Sequence, residues 1–399
     1  MDRQRRNHEL VVGARNESAV GGWMRQSLSR RRVVQAAGGA AVAAGAGAGV
    51  GGRTRRAAAQ GEVGGTLSIL CWPLYDGPNA NIPFIEETGT VVEATYLGSN
   101  DEIFAILRAG GLGEIDLVTP YHGYVRNLFE AGLLQPIDYD RLPNTADYID
   151  LFQKPDWNTF DGQTYAAPFV WGTGPMIYNE EFIPEAPTEW MDVLLPEYTG
   201  RVVMTDDALG HYLIWNQVTG AEDPTQVTQE QLDETTDLLI RIKTERARAF
   251  SPNMGDLADI MARGEAWIST IGWEAIPNFP IAEGAQLRYT HPAPGDFTFV
   301  DSYCIPVEAP NLDTAYAFID YMLSPESQAI SMDDMDSATV NEAAIPLLDE
   351  ETRAIFPYDN LEEIFEVAPV WEFPPLEDQG DGIVTYSGWL EAWERVRAS

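Results

Sequence analysis

Two large aromatics stand where a strand ends. In residues 66–78, TLSILCWPLYDGP, the apolar Leu67, Ile69 and Leu70 read as a short buried strand. Trp72 and Tyr75 follow on a stretch broken by Pro73 and closed by Asp-Gly-Pro, which is turn chemistry. Aromatics on a turn do not fill a strand core; they read as lining a cleft, with Trp72 as a cap on the core at the strand end the alternative. Far along the chain, Asp301 lies inside the apolar run 297–306. A buried carboxylate without a partner is costly, so Asp301 reads as the partner of a ligand. Aromatic faces hold a cation with about 0.5–2 kcal/mol per contact, and carboxylates hold ammonium groups by charge-assisted hydrogen bonds. These residue types suit an alkylammonium ligand.

Reaction chemistry finds less support. Three histidines, His122, His211 and His291, follow residue 59, and none forms H-E-x-x-H or stands at zinc spacing from a cysteine. No G-x-S-x-G elbow occurs. Asp333-Asp-Met-Asp336 and Asp378-Gln-Gly-Asp-Gly382 lack the EF-hand spacing and read as solvated acidic loops. No catalytic residue, metal or cofactor is expected, and a secreted hydrolase is the remote rival.

The 399 residues suffice for two domains. Their charge is lopsided. The first 59 residues hold 11 Arg against Asp2, Glu9 and Glu17, which leaves 14 basic and 59 acidic residues in 60–399, a net charge of −45. Only Lys154 and Lys243 are lysines. Such a chain repels nucleic acid and anionic membrane surfaces. Dozens of carboxylates exceed what one cationic ligand needs. The excess reads as adaptation to high salt, where the Debye length falls to about 3 Å at 1 M.

The N-terminal residues read as an address. Ser29-Arg-Arg-Arg-Val-Val-Gln35 precedes an Ala/Gly run over 36–52, and Ala57-Ala-Ala59 offers a cleavage site before Gln60. The run resembles the twin-arginine export signal. Residues 1–59 are therefore expected to direct export of a folded protein to the periplasm or beyond. Cys71 and Cys304 lie in apolar strand-like runs and read as two buried thiols.

Strands and helices must position these residues. Strands at 66–71, 90–96 and 115–118 alternate with helices at 79–88, 100–109 and 124–131, with Gly132 suited to a C-cap. This order predicts a parallel sheet in an α/β domain, with ligand at the carboxyl ends of the strands. Trp72 and Tyr75 follow the first strand, and Tyr121 follows the third. A second set holds a strand at 200–205 leading to Asp206-Asp207, a helix at 229–244, a strand at 267–271 leading to Trp273-Glu274, the strand at 297–306 and a helix at 314–323. Two α/β lobes with a crevice between them follow.

Several strings then fall in one order: LSILCWPLYDGP, EAGLLQPIDYDRLPN (130–144), DGQTYAAPFVWGTGPMIYN (161–179), LLPEYTGRVVMTDDA (194–208), VDSYCIPVEAPN (300–311) and AYAFIDYMLSPESQ (315–328). Over about 60–395 the chain resembles the spermidine/putrescine-binding proteins of ABC importers. The resemblance implies a two-lobed periplasmic-binding-protein fold of the type II kind, with parallel-rich sheets and the ligand in the inter-lobe cleft. It places residues 60–172 and 302–350 in the first lobe and 173–301 and 351–399 in the second. It implies a polyamine-like cation captured by hinge closure, a membrane permease as partner, and a monomer.

Residue by residue, the resemblance assigns ligand contact to Trp72, Tyr75, Asp207, Trp273 and Asp301, with Tyr121 and Phe299 as further aromatic faces and Glu372 at a late position. Departures stand beside these: Gly210 replaces a glutamate, Phe299 a tryptophan, Tyr121 and Gly123 a serine and a tyrosine, Ser337 a tyrosine and Glu372 a glutamine. They open the rival reading of another organic solute, an amino-acid derivative or quaternary amine, on the same fold. Asp206 reads as a helix cap, Glu274 as a surface charge and Trp171 as hinge packing.

Overall fold

A computed structural model describes residues 63–279, 282 and 284–399. The expected export signal at 1–59 lies outside the described residues.

In the first lobe the strand Thr66–Cys71 runs between Val91–Tyr96 and Leu117–Val118, parallel to both. Its burial follows from its apolar run: Leu67, Ile69, Leu70 and Cys71 are fully enclosed. The helix Ile82–Thr88 starts with Pro in its first turn and stops at Gly89. There φ is +71° and the Gly89 N–H returns to the Ile85 carbonyl, a left-handed end that glycine reaches without strain. The helix expected at 100–109 is shorter, Asp101–Ile106, because a π-type turn takes over at Leu107–Gly111.

In the second lobe five strands run in the order Ala247–Ser251, Val202–Thr205, Ile268–Ser269, Met176–Asn179, Leu287–Thr290. The first three are mutually parallel; Met176–Asn179 runs antiparallel to its two neighbours. The C-terminal helix Tyr386–Ala398 buries Trp389, Trp393 and Val396 in this lobe's core. Lys243 Nζ donates to the Val396 and Arg397 carbonyls at 2.6 and 2.7 Å, placing one of only two lysines where the helix dipole is negative.

Between the lobes runs a three-stranded antiparallel sheet, with Ala167–Thr173 in the middle, Thr298–Tyr303 on one side and Ala338–Thr339 on the other. Its register pairs Thr298 with Thr173, Phe299 with Gly172 and Val300 with Trp171, and it slips between Asp301 and Ser302. Trp171 is fully buried, donates from Nε1 to the Thr339 carbonyl at 2.8 Å, and meets Phe152, Phe356 and Phe365. Ile355 and Phe356 share its core, and further on the Val367 and Pro369 carbonyls accept from the Asp296 and Thr298 amides. Cys71 and Cys304 are buried and free.

Trp171→Ala is expected to cost roughly 3–5 kcal/mol by loss of buried area plus the cavity left behind. Denaturant unfolding checks this, and a loss under about 1 kcal/mol would mean the crossing sheet does not rest on this ring.

Candidate functional site

The turn after the first strand is braced from the crossing sheet. Tyr75 N–H donates to the Trp72 carbonyl at 3.1 Å and Gly77 N–H to Leu74 at 2.9 Å, with Leu74 held at φ +72°. A leucine in the left-handed region is strained by about 1–3 kcal/mol, so surrounding contacts must hold it there. The strand Thr298–Tyr303 supplies two: Tyr303 Oη donates to the Tyr75 carbonyl at 2.6 Å, and Tyr75 Oη donates to Asp301 Oδ2 at 2.7 Å.

Asp301 is 8% exposed. Burial pushes its carboxyl up to about 7, and the Tyr75 hydroxyl offsets only part of that. Tyr121 forms a β-bridge with Asp301, and its backbone N–H donates to Asn100 Oδ1 at 2.9 Å. Burial raises the Tyr121 phenol first; the charges of Asp301 and then Asp207 raise it further. One phenol beside the first sheet thus feels a carboxylate from the crossing sheet and one from the cap of the helix Ala208–Val218.

The helix cap expected of Asp206 falls on its neighbour Asp207. Asp207, at φ −138° and ψ 99°, caps the helix Ala208–Val218 by accepting the Gly210 N–H at 3.0 Å. Asp206 instead meets Trp393 Nε1 and Arg397 Nε, each at 2.8 Å, because the C-terminal helix packs beside it. Burial still raises the Asp207 carboxyl, opposed by the Gly210 amide.

Trp273 and Phe299 meet edge to face with centroids 6.5 Å apart, over Gly172. A Cβ on Gly172 would lie 2.6 Å from Phe299 Cζ and 3.1 Å from Trp273 Nε1, so only glycine lets both rings approach the strand. Trp72 is half-buried, takes its backbone support from Thr119 Oγ1 at 3.1 Å, and packs on a smaller first-lobe core. Among the described residues, neither the Trp72 nor the Trp273 indole N–H has an acceptor. Each is a donor that burial leaves unsatisfied.

Glu372 stands apart. It is exposed, lies 3.6 Å from Arg126, and lines a lateral cavity of about 650 Å³ beside the helix His122–Glu130. Its neighbour Phe373 packs on Tyr124 at 4.7 Å and Tyr386 at 4.6 Å, closing the lobes together there. Ser337 is buried and donates to the Met335 carbonyl at 3.2 Å.

Glu274 is the residue that sequence reasoning misplaced. It is 2% exposed, and both the backbone N–H and the hydroxyl of Thr173 donate to it. Burial pushes it up to about 7, against the Thr173 hydroxyl and the His291 charge. Asp76 was likewise missed: buried, at 3.3 and 3.4 Å from Tyr96 Oη, and pushed up to about 6 by burial. No sequence signal separates such acids from dozens of solvated ones.

Two expectations follow. Gly210→Ala puts a Cβ 2.3 Å from Ile271 Cδ1 and 2.5 Å from Asp207 Oδ2. A loss of about 1–3 kcal/mol is expected, read by urea unfolding. An unchanged midpoint would show that this corner has slack. Asp301, Glu274 and Asp76 hold protons in the folded chain that the unfolded chain releases near pH 4. Stability without ligand therefore falls as pH rises from about 4 through about 7. Asp301→Asn flattens this slope in denaturant titrations at pH 4.5 and 8; an equal slope in the variant would remove Asp301 as its source.

Comparison with known proteins bears on this arrangement. A family model described as bacterial extracellular solute-binding protein matches residues 82–354. The chain is 28% identical over 308 residues to the putrescine-binding periplasmic protein of Escherichia coli (strain K12), covering 72% of this chain and 81% of that one. It is 28% identical over 297 residues to the spermidine/putrescine-binding periplasmic protein of the same organism, with 74% and 83% covered. The solved spermidine/putrescine ABC transporter substrate-binding protein of Streptococcus pneumoniae superposes with a TM-score of 0.70 at 25% identity, covering 84% of this chain and 98% of that one. Two α/β lobes, the sheet that links them and a family match over most of the described residues lead to one conclusion: the chain belongs to the bacterial extracellular solute-binding proteins.

Proposed function

We propose that this protein captures a small organic cation of the polyamine class between its lobes and delivers it to an ABC importer permease. The observation that carries the reading is Asp301, buried on the crossing sheet with the Tyr75 hydroxyl as its donor and bridged to Tyr121, with Asp207, raised by burial, as the second carboxylate. Tyr75, Trp72, Trp273 and Phe299 supply aromatic faces for a methylene chain and its charge. Asp301 has no cation beside it among the described residues and sits buried, so an ammonium group would supply the missing charge. The names of the relatives point the same way. Export by the twin-arginine pathway, a monomeric state and a salt-adapted surface belong to this proposal.

Closure would run by population shift. The open form exposes the Asp207 and Trp273 walls. A ligand bridging both lobes favours the closed form by its extra contacts there, and the permease reads that form. No bond is made or broken.

A second reading keeps the fold and changes the solute. Gly210 has no room for a longer side chain, and Glu372 turns to Arg126 instead of the Asp301 group. A ligand with fewer ammonium groups, such as a quaternary amine or an amino-acid derivative, asks less of both positions.

Thermal-shift titration of the chain in low and in molar salt, against putrescine, spermidine, betaine and neutral amino acids, decides between them. A ligand at 100 times its Kd adds about 2.7 kcal/mol of stability. A shift with polyamines that disappears in Asp301→Asn is the expected result. Affinity should fall as pH drops below about 7, where Asp301 takes a proton that the ligand must displace. Response to betaine alone would move the protein to the second reading. A midpoint that does not rise with salt would end the salt-adaptation account.

A further inference from the structure

Glu274 is buried, binds no ligand residue, and belongs to the loop that carries Trp273. Its partner Thr173 lies 101 positions earlier, at the end of the strand that crosses between the lobes. The Thr173 N–H reaches Glu274 Oε1 at 2.9 Å and Oε2 at 3.1 Å, and the Thr173 hydroxyl also donates to Oε1. By the alternation of an antiparallel pair this N–H faces away from the strand Thr298–Tyr303, while the next amide, Gly174, donates to the Phe297 carbonyl at 3.0 Å.

Alternation along the crossing strands explains the location. Side chains of a strand point to opposite faces in turn. Gly172 and Phe299 meet Trp273 on the cleft side. Trp171 meets Phe356, Tyr358 and Phe365 on the other side, where Thr298 Oγ1 donates to the Ala368 carbonyl. Thr173 shares that rear face. Glu274 therefore reaches past the strand from the ligand wall to the back of the hinge, where it lines a crevice of about 350 Å³ with Arg288, Tyr289, Glu351 and Ile355.

We propose that Glu274 is a positioning residue: its carboxylate fastens the Trp273 wall of the cleft to Thr173 at the lobe crossing, so that placing Trp273 on a ligand and setting the hinge are one event. The inference rests on the solute-capture reading for its ligand, though the clamp itself does not need one. Charged and titratable groups facing Glu274 come from several elements. His291, itself 2.8 Å from Asp296, lies on the segment after Leu287–Thr290; the Tyr289 and Tyr358 phenols both feel the Glu274 charge; Arg288, bound to Glu180 at 3.1 Å, and Glu351 border the crevice. None of the described arginines or lysines makes an ion pair with Glu274.

Two measurements test this on the full chain at pH 8. The first needs no ligand: amide hydrogen exchange at Thr173 in the wild type, Glu274→Gln and Glu274→Ala. Exchange at Thr173 should accelerate at least tenfold in Glu274→Ala, with amides of the Gln229–Glu245 helix unchanged, and Glu274→Gln should keep part of the protection because one acceptor oxygen remains. If Thr173 exchanges as slowly in the alanine variant as in the wild type, the clamp is wrong. Should the alanine variant unfold, Glu274→Met, which keeps the volume and removes both acceptor oxygens, carries the same comparison, and wild-type protection of Thr173 in it would overturn the clamp equally. The second is a double-mutant cycle on putrescine affinity with Glu274→Gln and Trp273→Ala. Coupled residues give a combined loss at least threefold smaller than the product of the single losses. A combined loss equal to that product would sever Glu274 from the ligand wall. If putrescine does not bind the wild type, the capture reading fails in this form while the exchange experiment still judges the clamp.

Discussion

The hydrogen bond between Tyr75 and Asp301 joins the turn after the first strand to the strand that crosses between the lobes. It brings together residues 226 positions apart, and Tyr303, two places further along the same strand, holds the Tyr75 backbone. A turn with Leu74 in the left-handed region keeps its shape only when its surroundings insist on it. The crossing strand does so while also carrying Phe299 to Trp273. Asp301 and Phe299 are parts of one strand, and the slip in register at Asp301–Ser302 falls within its pairing with Ala167–Thr173, beside the bridge to Tyr121.

Buried acids and solvated acids obey different physics in this molecule. Most of the carboxylates lie in water, where an arginine partner such as Arg248 for Glu265 contributes about 0–1 kcal/mol and molar salt screens the rest. Asp301, Glu274 and Asp76 are enclosed, and each is served by hydroxyl or amide donors instead of a cation. Such an anion is held at a cost, and a bound ammonium or a proton relieves it. The same chemistry makes the stability of the fold depend on pH.

The second lobe is closed by its own C-terminus. Trp393 and Arg397 return to Asp206, and Lys243 covers the final carbonyls, so the helix at 386–398 ties the end of the chain to the loop that presents Asp207. Tyr386, at the start of this helix, packs on Phe373, which packs on Tyr124 of the first lobe. The C-terminal segment therefore contacts both walls of the cleft.

Local signals in the sequence determined much of this. Apolar runs marked the strands at 66–71 and 202–205, a glycine set the end of the helix at Gly89, and turn residues after a strand marked where Trp72 and Tyr75 leave it, both half-buried against core clusters. Asp301 stood out because a charge inside an apolar strand demands a partner, and that demand is visible in composition alone. Tertiary structure decided what local signals could not. Asp206 and Asp207 are chemically identical neighbours; only the helix that arrives some 190 residues later, bringing Arg397, made one an ion-pair partner and left the other to cap. Glu274 and Glu372 are alike on paper, yet one is enclosed against Thr173 and the other reaches Arg126 in the open. Burial of an acid is a property of what packs around it, and those atoms come from distant parts of the chain.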